Sequence, residues 1–414
     1  MIELLKEAGM TAVSFEEKAD VYLINTCSVT NMADKKSRQM IHRAKKLNPD
    51  AVVIAAGCYV QAAKDKLMED DRISIIIGNN KKKDIVQILE DYLEIGVTDE
   101  GMLDIAAEKE YEPLTINSTL EHTRAYVKIQ DGCNQFCSYC IIPYVRGRIR
   151  SRELASITEE VERLAQTGVK EIVLTGIHIS SYGKDKENEV GLADVIDAIS
   201  KIESIERIRL GSLEPGIITD TFIDRIVDNK KVCPHFHLSL QSGCNTVLKR
   251  MNRKYTCEEY FEKCEILRKA FDRPALTTDV IVGFPGETDE EFQETVDYLT
   301  KLNLYEMHIF KFSPRQGTVA AGMRDQIGPE IKNQRSDVLL ALSEKNKHAY
   351  EASFRGETLE VLIEEKVRRN GKDGYRGHTE RYIDIFVEEE CMHRICGREV
   401  DIINHIVQIP YGME

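Results

Sequence analysis

Three cysteines, Cys133, Cys137 and Cys140, stand in the ten residues DGCNQFCSYC at a Cys-x3-Cys-x2-Cys spacing. A structural zinc ion takes four protein ligands, and no fourth Cys or His lies at finger spacing. A [4Fe–4S] cluster held by three thiolates keeps one iron open for a substrate. The bland alternative is a chance triplet of loop cysteines. Two further cysteines close strand-like runs, Cys27 in INTCSVT and Cys58 in AAGCYVQ. Strand-end cysteines commonly do no more than pack, but an iron–sulfur segment next along the chain raises the case for a metal role. Cys233, Cys244, Cys257, Cys264, Cys391 and Cys396 form no ligand-like group and are read as packing residues.

The elements that must position these thiols follow from periodicity. DVYLINTC, AVVIAAGC and RISIIIGNN are β-branched runs separated by charge-rich helical patterns such as DKKSRQMIHRAKKLNPD, where Asp34 is the expected cap. That alternation predicts a doubly wound parallel sheet over 1–115, with Cys27 and Cys58 on its ligand-binding edge. Residues 102–123 read as a linker. Across 119–350 the runs AYVKIQ, EIVLTG, RIRLGS, HFHLSL, LTTDVIVG and MHIFKF recur between helical segments, which predicts a partial (β/α)6 barrel with functional residues just after each strand. From 351 to 414 short β-rich runs and the Gly- and Arg-rich connection RRNGKDGYRGHTER predict a small antiparallel β-barrel of a kind that often handles nucleic acid.

The 414 residues exceed one ordinary core, and the 11 cysteines, odd in number and scattered, favour metal ligands over a disulfide framework. No apolar run approaches the roughly 20 residues a membrane span needs, so the expectation is a cytoplasmic protein without a membrane partner. The net charge of −14 argues against indiscriminate nucleic-acid binding and leaves room for local basic faces.

The cysteine triplet after the first barrel strand resembles the signature of the radical S-adenosylmethionine (SAM) superfamily. The resemblance implies that the open iron chelates the amino and carboxylate groups of SAM. Later strand ends agree: Gly176 would let the backbone approach the methionine amine, and Glu214 would reach a ribose hydroxyl or the sulfonium region. Gln241 and Ser242 are presented by the next strand end, and Gly283, Pro285 and Gly286 fall near the adenine. Each alone reads equally as a turn or a cap.

INTCSVTNMADKKSRQ, AAGCYVQ, IQDGCNQFCSYCIIPYVRGRIRSR, LTGIHISSYG, LSLQSGCNTVLKRMNRKYT, DVIVGFPGETDEEF and FSPRQGTVAAGM together resemble the radical SAM methylthiotransferases over nearly the whole chain, including a C-terminal segment similar to the RNA-binding TRAM domain. LTGIHISSYG and CIIPYVRGRIRSR are most similar to the branch acting on N6-threonylcarbamoyladenosine (t6A) at tRNA position 37. This implies a sulfur-transferring tRNA-modifying enzyme with two [4Fe–4S] clusters. One would sit on Cys133, Cys137 and Cys140, and the second on three N-terminal cysteines that include Cys27 and Cys58. One SAM would methylate a sulfur and a second would yield the radical that takes hydrogen from C2 of the adenine. The family's first cluster cysteine lies ahead of the helix that MIELLKEAGM resembles, so the expectation is an N-terminally truncated chain lacking the third ligand. Expected partners are the anticodon stem-loop of ANN-decoding tRNAs and an electron donor such as flavodoxin or ferredoxin.

Three basic groups are candidates for the RNA backbone: Lys35, Lys36 and Arg38, with Arg43, Lys45 and Lys46 on the same helix; Arg146, Arg148, Arg150 and Arg152; and Arg368, Arg369, Lys372 and Arg376. Taken singly, each reads by default as a solvated face. The alternatives are a methylthiotransferase for isopentenyladenosine or a ribosomal-protein aspartate, or an RNA-binding Fe–S protein that has lost turnover.

Overall fold

A computed structural model of the chain describes residues 1–28, 31–96, 102–115, 123–187, 190–397 and 402–412. It divides into two compact units. The first joins Met1–Leu114 to Asp131–Arg150 and Ser313–Met323, and the second joins Thr115–Gln130 to Ser151–Phe312 and Arg324–Glu414. Two features depart from a division at 115, 119 and 351. The cysteine loop folds with the N-terminal sheet, and the C-terminal β-module shares a unit with the barrel strands.

In the first unit, β1 (Val21–Thr26), β2 (Val52–Gly57) and β3 (Ile75–Ile77) form a parallel sheet in that order. Alternating side chains feed two cores. Tyr22, Ile24, Val53 and Ala55 pack with Ile41 and Ala44 of the helix Asn31–Leu47. Ile54, Ala56, Ile75 and Ile77 pack with Ile85 and Leu89 of the helix Ile85–Ile95. Helices on both faces make the sheet doubly wound, as the β-branched runs imply. Asp34 does not cap its helix, which starts three residues earlier; its carboxylate instead takes the Arg315 guanidinium at 2.6 Å. The expected linker is no loose tether where described: Ile105 is buried and the Glu112 carboxylate accepts from the amides of Lys82 and Lys83. Its stretch 116–122 lies outside the described residues.

The second unit is built on β4 (Arg124–Asp131, whose last residue belongs to the first unit), β5 (Arg150–Ser151, whose first residue does), β6 (Glu171–Gly176), β7 (Arg207–Leu210), β8 (His235–His237), β9 (Ala275–Val282) and β10 (Glu306–Lys311). The sheets β5-β4-β6-β7 and β10-β9-β8 are joined through the bridges Ile208↔Val232 and Leu213↔Leu238, giving the partial barrel of parallel strands. One face of each strand packs outward on helices: Val127, Ile172, Leu174, Ile208, Phe236 and Val280 meet Val161, Leu164, Ile196, Ile226, Tyr260 and Leu299. Period-2 alternation turns the intervening residues, among them Arg124, Glu171, Arg207, Arg209, His237 and Asp279, to the inner face. Thr256–Glu259 and Thr288–Glu291 are capping boxes, each cap contributing about 1 kcal/mol.

The C-terminal module is an antiparallel half-barrel sheet in the order β13-β12-β11-β14, from β11 (Thr358–Arg369), β12 (Lys372–Thr379), β13 (Asp384–Glu388) and β14 (Ile406–Pro410). The stretch read as a connection is a hairpin: β11 and β12 pair from Val361↔Thr379 to Arg369↔Lys372. Asn370 and Gly371 turn it with φ of 52° and 82°, the left-handed pair of a two-residue hairpin turn. Among the described residues no helix is long and apolar enough to cross a membrane.

Candidate functional site

The register Thr26↔Gly57 places Cys27 and Cys58 each one residue beyond the paired ends of β1 and β2. Gly57 takes φ 103°, and a Cβ there would stand 2.7 Å from the Thr26 carbonyl, so only glycine lets β2 turn straight into the helix Cys58–Ala62. Cys27 is exposed and Cys58 buried. The Arg146 Nε donates to Cys58 Sγ at 3.0 Å while its Nη1 reaches Asp131 Oδ2 at 3.2 Å. Asn79, one strand further along the same edge, donates from Nδ2 to the Val145 carbonyl at 2.6 Å and lies 3.7 Å from Cys58 Sγ. Ile141 and Val145 close an apolar contact on Cys58. The cysteine loop is thereby anchored beside Cys58.

Within that loop Cys133 and Cys137 are buried and Cys140 is half-buried. Gly132, at φ 72°, passes so close to the Arg148 carbonyl that no side chain fits. The Gln135 amide points at Cys133 Sγ at 3.4 Å, and the Cys140 amide donates to the Cys137 carbonyl at 2.9 Å. Phe136 adopts φ 49°, a conformation that costs a non-glycine residue about 1–2 kcal/mol. Arg148 stacks over its ring at 4.6 Å and Tyr144 meets its edge at 5.8 Å. Three soft thiols on one short loop, one of them facing an amide, with a guanidinium on a fourth thiol, are donors suited to iron. Arg315, from FSPRQGT, bonds Ser28 Oγ at 2.7 Å next to Cys27 as well as Asp34. The sequence reading singled out neither Arg315 nor Asn79; the sole signal was that each sits in an unexplained motif.

In the second unit the SAM candidates occupy successive strand ends. A Cβ on Gly176 would fall 2.9 Å from the Gln130 carbonyl. Glu214 follows β7 and is held by Arg253, whose side chain is 5% exposed. Burial pushes the Glu214 carboxyl up against the opposing pull of Arg253. Gln241 bridges Val280 with φ 76°, and Ser242 is fully buried with Oγ accepting from the Cys244 amide at 3.3 Å. Gly283 and Gly286 take φ near 70°, flanking buried Pro285. The Gly283 amide donates to Glu287, which Arg335 neutralises at 2.7 Å. His178, two residues beyond Gly176, stands near Glu214. Its amide donates to Gln130 Oε1 at 2.7 Å, its Nδ1 meets Ser181 Oγ and its Nε2 stands 3.9 Å from Glu214. Burial, then Lys184 and Arg253, push its pKa down to about 4, so it is a neutral imidazole at pH 7.

The basic candidates divide sharply. Arg150 is 1% exposed, with Nη1 on the Arg148 carbonyl and Nη2 facing Asp131 at 3.9 Å. Arg152 is buried on Glu160, and Arg146 is turned inward onto Cys58 and Asp131. These three arginines anchor the loop and its exit and are withdrawn from the RNA-facing set, because turning such a guanidinium out to a phosphate would strand the buried carboxylate it faces. Lys45 caps the helix C-terminus on Pro49 and Ala51 carbonyls, and Arg43 pairs with Glu16. Lys35, Lys36, Arg38, Lys46 and Arg148 are exposed. Arg368, Arg369, Lys372 and Arg376 line the β11–β12 hairpin with side chains 42–70% exposed, each beside an acidic residue. Cys233, Cys244, Cys257 and Cys264 are buried, and burial lifts the Cys233 thiol to about 11 and Cys257 and Cys264 to about 12, so none offers a ready thiolate.

Residues 127–299 match the radical SAM superfamily, and residues 1–78 match a family described as uncharacterized protein family UPF0004. The chain is 41% identical over 410 residues to a Bacillus subtilis protein named threonylcarbamoyladenosine tRNA methylthiotransferase MtaB, covering 98% of this chain and 88% of that protein. An Aquifex aeolicus protein of the same name is 40% identical over 92% of this chain and 90% of its own. A Thermoanaerobacter pseudethanolicus tRNA-2-methylthio-N(6)-dimethylallyladenosine synthase is 36% identical over 96% of the chain and 85% of that protein. Among solved structures, the radical SAM methyltransferase TsrM from Kitasatospora setae superposes with a TM-score of 0.57 at 16% identity, over 74% of this chain and 66% of that one.

Proposed function

The chain belongs to the radical SAM tRNA methylthiotransferases, and from that premise we propose that it methylthiolates C2 of t6A at position 37 of ANN-decoding tRNAs. The observation that carries the substrate is the 41% identity sustained over 98% of the chain with a protein of that named activity, against 36% for the dimethylallyladenosine enzyme. The family's cofactors are SAM and two [4Fe–4S] clusters. Cys133, Cys137 and Cys140 would hold a cluster that, with SAM and one electron from a flavodoxin- or ferredoxin-type donor, would supply the radical chemistry an unactivated aromatic C–H requires.

The chain's own residues do the rest. Cys133, Cys137 and Cys140 hold the radical-generating cluster, and Cys27 and Cys58 take part in holding the second. Arg146 offsets thiolate charge at Cys58 while tying it to Asp131. Gly176, Glu214, Gln241, Ser242, Gly283, Pro285 and Gly286 make the SAM surface, where the glycines admit the nucleoside against bare backbone. Neutral His178 accepts or donates a hydrogen bond beside Glu214 without adding charge. The exposed Lys35, Lys36, Arg38 and Arg148 hold RNA phosphates on the first unit, and Arg368, Arg369, Lys372 and Arg376 do so on the second.

Two experiments test this reading. Nucleoside mass spectrometry of tRNA from the source organism with the gene deleted is expected to show loss of 2-methylthio-t6A and accumulation of t6A. Loss of 2-methylthio-isopentenyladenosine instead would reassign the branch. The Arg368→Ala/Arg369→Ala double variant is expected to bind tRNA several-fold more weakly, with the salt slope of log K reduced by about 1–2. Unchanged affinity and slope would remove the hairpin from the interface.

A further inference from the structure

The geometry points to a mononuclear divalent-metal site on the inner face of the barrel strands, formed by His237, Asp279 and His308 with no thiol among its donors. Parallel pairing sets His308 of β10 beside Asp279 of β9, and His237 of β8 beside Thr277, one pleat away on the same face. One donor atom from each of the three residues lies within 4.8 Å of the others. The imidazoles of His237 and His308 stack with centroids 5.7 Å apart and planes 24° from parallel.

His237 shows the signs of an incomplete coordination shell. Its Nδ1 meets Thr277 Oγ1 at 3.0 Å, the outer hydrogen bond that orients a metal-ligating histidine. Its Nε2 stands 3.4 Å from Asp279 Oδ2, yet it is buried and makes no hydrogen bond among the described residues. An imidazole nitrogen and a carboxylate oxygen held this close without a shared hydrogen bond are suited to share a cation. Ligands about 2.0–2.2 Å from one tetrahedral ion stand about 3.3–3.6 Å apart, a spacing that His237 Nε2 and Asp279 Oδ2 already have at 3.4 Å. His308 is exposed, so its ring has room to rotate onto the ion and opens an entry path from solvent.

Two imidazoles and one carboxylate match a borderline ion, zinc(II) or iron(II), better than calcium or magnesium, which prefer all-oxygen shells. Three protein donors leave at least one coordination position free for an oxygen ligand. None of the donors is a thiol, so occupancy is independent of cluster assembly.

The test is equilibrium dialysis of the cluster-reconstituted chain against radioactive zinc, comparing wild type with Asp279→Asn and His308→Gln. Expected is one zinc fewer per chain in each variant, with iron and sulfide contents unchanged. Wild-type zinc should also give an X-ray absorption spectrum with a nitrogen and oxygen shell and imidazole outer-shell scattering. Equal zinc in wild type and His308→Gln overturns the proposal, and so does a shell dominated by sulfur. Because His308 is exposed, an unaltered melting curve of His308→Gln keeps that comparison valid if Asp279→Asn fails to fold.

Discussion

Cys137→Ala is expected to remove about four irons per chain and to abolish reductive cleavage of SAM to background, while leaving the fold intact. Cys137 is buried in a loop held in part by contacts that do not use its sulfur. Gly132 under the Arg148 carbonyl, the Cys140 amide on the Cys137 carbonyl and the Arg148–Phe136 stack all persist in the variant. What is lost is one of three soft donors, and two thiolates hold a four-iron cluster poorly. Cys391→Ser is the control: that cysteine is half-buried against the C-terminal core and its loss should cost no iron. Iron and sulfide analysis with 5′-deoxyadenosine quantification decides the matter. Unchanged iron and turnover in Cys137→Ala would remove Cys137 from the ligand set.

Glu171→Ala is expected to be the most damaging substitution for stability. Glu171, fully buried, faces Arg209 at 2.8 Å, Arg124 at 3.3 Å and Arg207 at 4.0 Å. Arg124 and Arg207 have second carboxylates in Glu364 and Glu380. Arg209 is 4% exposed and keeps only the Thr379 and Glu380 carbonyls and the face of Tyr382. Stranding a buried charge in this way costs about 3–5 kcal/mol, which for a unit of this size lowers Tm by on the order of 5–10 °C. Burial alone would raise the Glu171 carboxyl, but Arg209, then Arg124 and Arg207, outweigh it and hold its pKa below the ordinary value. The stabilisation is therefore fully present above the unfolded-state pKa and is lost as pH falls through the lower folded value. Wild type and variant should converge in stability in acid and diverge near neutrality. Calorimetry at both pH values checks this, and equal Tm at pH 7 would mean that the carbonyls alone satisfy Arg209.

Much of this architecture was legible because the strands announce themselves. EIVLTG coincides with β6, and LTTDVIVG departs from β9 by one residue at each end. The cysteine spacing was legible for the same reason, since ligand geometry is local. Less legible was whatever depended on distant partners. RRNGKDGYRGHTER looked like a connection by composition, although Asn370-Gly371 is a hairpin signal, and the charge of the stretch masked its pairing. HFHLSL gave a strand of only three residues, because Leu238 and Gln241 pair through isolated bridges. Arg146 and Arg150 looked like phosphate ligands because arginine runs usually face solvent; Asp131, the counter-charge that turns both inward, carries no sequence mark. Asp34 looked like a cap and is instead the partner of a residue 281 positions away.

Arg207 and Arg209 hold the C-terminal module chiefly by its backbone: the carbonyls of His378, Glu360, Glu380 and Thr379 accept their hydrogen bonds. A carbonyl is the same whatever side chain it carries. The junction therefore tolerates drift at the module's residues while demanding constancy of the two arginines. Descendants of this chain can rewrite the hairpin that faces outward, and so their preference for one RNA over another, without loosening the joint that carries it.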